Sequence, residues 1–147
     1  MIPRHPLTSR HIDIWLVFYQ TIAGPELQAA LLALLNDTER QQQIRFYRPD
    51  DRLRYLATRA LVRTTLSRYA PVAPADWTFI PNDYRRPAIS NAHAEARSLN
   101  FNVSHTRGLI ALCAERLDGT VPLVTVRSVM PTVSDAPFAW TLLKRSP

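Results

Sequence analysis

Glycine is nearly missing from this chain, with three residues in 147. A backbone that wraps a nucleotide phosphate closely needs several glycines at set spacing, so a P-loop and a dinucleotide fingerprint are excluded. Cysteine is scarcer still: Cys113 has no partner for an intrachain disulfide, which suits a reducing, cytoplasmic compartment and excludes a thiolate metal cluster. Its place inside the apolar run Leu109–Ala114 predicts a buried structural thiol rather than a reactive one. Long hydrophobic runs are lacking too. The longest near the N-terminus, Ile14 to Tyr19, is too short to span a bilayer and follows Asp13, so neither a signal peptide nor a transmembrane helix is expected. Acidic residues are outnumbered, 12 against 18 Lys and Arg, for a formal charge of +6 and a pI of about 10.2. That balance favours an anionic partner: a nucleotide, a nucleic acid or an acidic protein.

What is present is enough for one core. A 46% hydrophobic content over this length argues for a single domain. Ile12–Tyr19 reads as an opening strand. Pro25 starts a helix in which Leu27, Ala30, Leu31 and Leu34 recur at helical spacing. Asn36, Asp37 and Thr38 break it and are placed to cap a second helix, Glu39 to Phe46. After Pro49, with Asp50 or Asp51 as cap, the clearest helix runs to about Tyr69. Its apolar face holds Leu53, Leu56, Ala57, Ala60 and Leu61; Arg52, Arg59 and Arg63 form a stripe whose plain reading is a solvated basic face. Pro71, Pro74 and Pro81 punctuate the next connection around a strand at Trp77–Ile80. Asn82-Asp83-Tyr84-Arg85-Arg86-Pro87 then reads as a turn that delivers two adjacent arginines before an extended piece, Ala88-Ile89.

Residues 99–108 carry the strongest local signal. Phe101 and Val103 alternate with Asn100, Asn102 and Ser104, the period of a half-buried strand, and Gly108 opens a second apolar run. A strand–turn–strand is expected, with His105, Thr106 and Arg107 at the turn. A hydroxyl, an imidazole and a guanidinium there suit a phosphate. The alternative is a hairpin in which Ser104 and His105 serve only local backbone groups.

In order, these pieces resemble the surfactin-synthetase type of 4′-phosphopantetheinyl transferase. The resemblance rests on Arg45-Phe46-Tyr47 with Asp50-Asp51; on Arg54 and the helix ending Ala60-Leu61-Val62-Arg63; on Tyr84-Arg85-Arg86-Pro87; and on Phe101-Asn102-Val103-Ser104-His105. It covers roughly residues 12–116, the N-terminal half of that family's usual chain. It implies an α+β fold that is one half of a two-subdomain molecule with the active site in the cleft between the halves. Residues 1–118 would be that subdomain, and 119–147 an irregular, out-of-pattern tail. It also implies transfer of phosphopantetheine from coenzyme A to a serine of an acyl or peptidyl carrier protein, releasing adenosine 3′,5′-bisphosphate. Coenzyme A would be held by Arg45, Arg54, Arg86, Ser104 and His105; Arg86 stands where lysine is commoner and offers a planar fork instead of a point charge. Glu39 and Gln42 stand where some members carry lysines, which weakens the expected grip on the 3′-phosphate.

The departures fall in the tail. The family's Gly-x-Asp-x-Glu motif holds Mg²⁺ through two carboxylates, but Pro122–Ser128 places Val126 and Ser128 at those positions. Beyond Asp118 the only acidic residue is Asp135, and Trp140 followed by Lys144 does not reproduce the later Trp-x-x-Lys-Glu segment. No catalytic residue and no metal ligand is therefore assigned. The tail, with four prolines (Pro122, Pro131, Pro137 and Pro147) and no sustained periodicity, reads as a truncation or frameshift with a poorly ordered end. A lone half would expose apolar surface and favour self-association. Three functions follow: a transferase incomplete for catalysis by itself, a coenzyme A or nucleotide-phosphate binding remnant without chemistry, and a small basic nucleic-acid binder. The last is disfavoured because the arginines sit singly among apolar residues without a stacking motif.

Overall fold

The computed structural model describes residues 11–116 and, for the backbone alone, the strands 123–132 and 139–142. The opening strand β1 (His11–Val17) is followed by a single 3-10 turn at Tyr19–Thr21 and three helices, α1 (Pro25–Leu34), α2 (Asp37–Arg45) and α3 (Pro49–Leu66). A small hairpin of β2 (Phe79–Pro81) and β3 (Pro87–Ile89) and a one-turn helix α4 (Ala94–Arg97) lead to β4 (Leu99–Thr106) and β5 (Leu109–Arg116). Two further strands, β6 (Leu123–Thr132) and β7 (Ala139–Leu142), complete a five-stranded sheet in the order β4-β5-β1-β6-β7. The α+β class expected from the sequence is the one observed.

Local chemistry explains the helix starts. At α2 the Asn36 side chain accepts from the Glu39 N–H at 2.8 Å while Glu39 accepts from the Asn36 N–H at 3.1 Å, a reciprocal capping box. The residue capping α3 is Arg48, not Asp50 or Asp51; Pro49 takes the first helical position and both aspartates fall in the first turn, where the helix dipole favours negative charge.

Alternation along the strands decides the core. Asp13, Trp15 and Val17 of β1 pair with Ala114, Leu112 and Ile110 of β5, and this row faces the helices. Leu56, Ala57, Ala60 and Leu61 of α3 and Leu31 of α1 pack with it, fully or nearly fully buried. Each such aliphatic side chain contributes about 1.5–3 kcal/mol of burial. One polar thread of two hydrogen bonds crosses the core: Trp15 Nε1–H donates to Tyr69 Oη at 2.6 Å, and Tyr69 donates to Asp13 Oδ2 at 2.7 Å.

The opposite row of the sheet, Ile12, Ile14 and Leu16 with Ala111 and Cys113, is only half-buried. Cys113 is thus a half-buried residue on the face away from the helices, not a buried one. Burial and the neighbouring Glu115 and Asp13 carboxylates raise its thiol pKa, so it remains an unreactive thiol. β6 runs parallel to β1, pairing Val126 with Ile14 and Ser128 with Leu16. Its stretch Leu123-Val124-Thr125-Val126 is rich in β-branched residues, which gives regular strand to part of a tail expected to be irregular. Residues 117–122, 133–138 and 143–147 lie outside the described residues.

Candidate functional site

The β4–β5 hairpin has the expected strand–turn–strand form, but its turn is narrower than the sequence suggests. Thr106 already pairs with Leu109 and His105 with Ile110, so only Arg107 and Gly108 are outside the ladder. Gly108 has φ +86°, the left-handed value that the second position of a type II turn takes and that glycine supplies without strain. Ser104 and His105, both exposed, are successive strand residues and lean to opposite faces. Ser104 continues the row of Asn100 and Asn102, and His105 continues the row of Phe101 and Val103.

The hairpin tip is tied to the start of α3 by a residue far away in sequence. The Gly108 N–H donates to Tyr19 Oη at 3.0 Å, and Tyr19 in turn donates to Asp50 Oδ2 at 2.8 Å. Gln20 Nε2 donates to Asp50 Oδ1 at 3.2 Å. These bonds from Gln20 and Tyr19 hold the Asp50 carboxyl below its ordinary pKa of 3.8; burial opposes them, and the positive charges of Arg54 and Arg107 add smaller contributions to the lowering. Arg54 is half-buried and donates to Asp51 at 2.8 Å. The Asp50 carboxylate, already hydrogen-bonded, therefore lies near the charges of Arg54 and Arg107, next to the hairpin whose last strand residues before the turn include Ser104 and His105.

The other two basic residues singled out from the sequence lie on other elements. Arg45 is exposed in the last turn of α2. Arg86 is exposed at the tip of the β2–β3 hairpin, where its backbone closes the turn: the Asn82 N–H donates to the Arg86 carbonyl at 2.8 Å, and the Arg86 N–H donates to Asn82 Oδ1 at 2.9 Å. Arg85 beside it has φ +58°, left-handed for a residue with a side chain.

The arginine stripe of α3 is not a solvated face. Arg63 is fully buried: its Nε donates to Glu39 Oε2 at 3.0 Å, and its Nη1 donates to the carbonyls of Pro74 and Trp77 at 3.0 and 2.9 Å. Arg59 donates to Glu39 Oε1 at 2.8 Å, and both guanidinium groups lie over the Phe79 ring, 5.2 and 5.6 Å from its centre. A buried charge persists only when paired, and Glu39 pairs both. Glu39 is thus the anchor that fastens α2 to α3 and to the loop before β2.

Sequence reasoning had placed Tyr19 at the end of a strand and Asp50 at a cap, with no link to the hairpin. Nothing local signals the Tyr19–Gly108 bond, which spans 89 positions.

The fold is thus an α+β unit with a guanidinium-rich hairpin end. A family described as "4′-phosphopantetheinyl transferase, N-terminal" matches residues 24–117, and the chain belongs to that family. It is also 34% identical over 113 residues to the 4′-phosphopantetheinyl transferase HetI of Nostoc sp. (strain PCC 7120 / SAG 25.82 / UTEX 2576). The match takes in 76% of this chain and 46% of that relative, so the chain spans less than half of the relative's length.

Proposed function

We propose that this chain carries the coenzyme A phosphate-binding part of a 4′-phosphopantetheinyl transferase of the surfactin-synthetase type, working in the cytoplasm on an acyl or peptidyl carrier protein. The observation that supports the reading is the approach of Arg54 and Arg107 to one carboxylate beside the hairpin that carries Ser104 and His105, in a segment that matches the family. Guanidinium, imidazole and hydroxyl donors offset phosphate charge and favour it over neutral ligands. Arg45 and Arg86 join the same ligand from α2 and from the β2–β3 turn. Residues 1–118 form this binding unit, and 119–147 stand apart from the family pattern.

In the reaction, the carrier serine oxygen bonds to the phosphorus that bears the pantetheine arm. The pyrophosphate P–O bond breaks toward adenosine 3′,5′-bisphosphate, and the serine proton passes to solvent. This chain's basic residues bind and orient the phosphates; none is assigned the proton. Mg²⁺ assists the family's reaction, but the aligned positions here are Val126, without a side-chain oxygen, and Ser128, a weak neutral donor. Among the described residues no group of three or more His, Cys, Asp or Glu could hold a metal ion. The donor set does not suit the ion, and no step is derived through it.

Isothermal calorimetry with coenzyme A tests the reading. Binding is expected, and no heat at about 1 mM ligand overturns it. Transfer to a carrier protein by this purified chain alone would overturn its catalytic incompleteness. The nucleic-acid reading loses its main support, because Arg63 and Arg68 of the basic region are buried and Arg59 is half-buried.

A further inference from the structure

We propose that Tyr19 and Asp50 are positioning residues for the coenzyme A phosphates, forming a latch that sets the hairpin tip at a fixed distance from Arg54. The inference rests on the functional reading above; it adds Tyr19, which the family motifs did not single out, and gives a role to Asp50, which they include. Three observations carry it. The Gly108 N–H, Tyr19 Oη and Asp50 Oδ2 form a continuous donor–acceptor chain of 3.0 and 2.8 Å from the β4–β5 turn to the first turn of α3. Tyr19 is fully buried, so its ring is fixed by packing and its hydroxyl position follows from the core. Gln20 closes the same point twice: it donates to the second Asp50 oxygen at 3.2 Å, and its Oε1 lies 3.3 Å from where a Cβ on Gly108 would stand.

A β-hairpin tip anchored only by its own ladder flexes about the sheet edge. Here β4 is the edge strand, so Ser104, His105 and Arg107 depend on a contact from outside the ladder for their place relative to α3. The latch supplies it. Groups held in place before the ligand arrives lose less freedom on binding, and the affinity gained is the cost avoided. Asp50 has a second effect of the opposite sign: its charge lies near Arg54 and Arg107 and competes with a phosphate for them. Geometry and charge can therefore be separated by substitution.

Tyr19→Phe keeps the ring and removes the hydroxyl. The expected result is a roughly tenfold weaker affinity for coenzyme A by calorimetry, the size of one hydrogen bond to a charged group. Faster hydrogen exchange at the Gly108 amide is expected in the ligand-free protein. Asp50→Ala removes the acceptor and should lose affinity likewise. Asp50→Asn keeps an acceptor for Tyr19 and removes the charge, and should restore the affinity that the alanine variant loses. A role confined to stability would instead rank the three variants by melting temperature, leaving the affinity of the folded fraction unchanged. Equal affinity in Tyr19→Phe and the unsubstituted chain overturns the inference alone. Unchanged exchange at Gly108 does the same. Failure of the unsubstituted chain to bind coenzyme A overturns the functional reading, and the inference with it.

Discussion

Glu39 shows most directly how one residue can carry a different role from the one its alignment suggests. In the family resemblance its position is one that lysine takes in some members, and its acidity reads as a weakened phosphate grip. In the fold it is nearly buried, caps α2 and neutralises two arginines of α3. Glu39→Lys is therefore expected to unfold the protein instead of strengthening ligand binding. Glu39→Gln should lose roughly 3 kcal/mol, since it leaves Arg63 buried without a counter-charge; urea denaturation measures both. At the turn, Gly108→Ala places a side chain at φ +86° and brings Cβ to 3.3 Å from Gln20 Oε1. A loss of about 1 kcal/mol is expected from the backbone alone, because Gln20 can move aside. Asp50 sets a pH dependence. Its folded pKa is lowered, so the stability it adds is complete above its ordinary value of 3.8 and is lost as pH falls through the lowered value. Asp50→Asn should flatten that part of the acid unfolding curve.

Among the elements, α2 depends most on its cap. It has one buried residue and little apolar surface to hold it, so Asn36→Ala should cost about 1 kcal/mol and fray the helix, measurable by circular dichroism and thermal melting. The β4–β5 hairpin was legible in advance because its two apolar rows alternate cleanly and glycine marks the turn. Its turn was expected one or two residues too wide, since Thr106 and His105 carry no pattern that says whether they pair. Helix α3 was legible from its apolar face, while its cap was misjudged because two aspartates after a proline look like caps and serve the helix dipole instead. Helix α4, four residues long with a His93 side chain accepting from the Glu95 N–H at 3.2 Å, has too few positions for any period to show.

At the scale of the whole molecule, among the described residues one sheet face is well covered and the other half-covered. Ile12, Ile14, Leu16 and Ala111 line the second face at the centre of the sheet. The self-association expected from the sequence would use this face. Sedimentation velocity should show a concentration-dependent dimer, and Ile14→Asp should abolish it, while a monomer at all concentrations removes the idea. Among the described residues no helix is long and apolar enough to cross a membrane.

Periodicity, capping chemistry and turn residues were enough to place most of the helices and strands as far as β5, while the α+β class and the family came through the resemblance carried by the ordered motifs. Those properties follow from short-range periodicity, capping chemistry and the order of motifs along the chain. Only the folded chain decides which arginines are buried and paired and which stay exposed, because both depend on neighbours 20 or more positions away, as Arg59 and Arg63 on Glu39 illustrate. It decides too that Tyr19 joins Gly108 to Asp50, and that Ser104 and His105 face opposite ways. Hydrogen bonds between distant segments and the twofold alternation of a strand are properties of three-dimensional register.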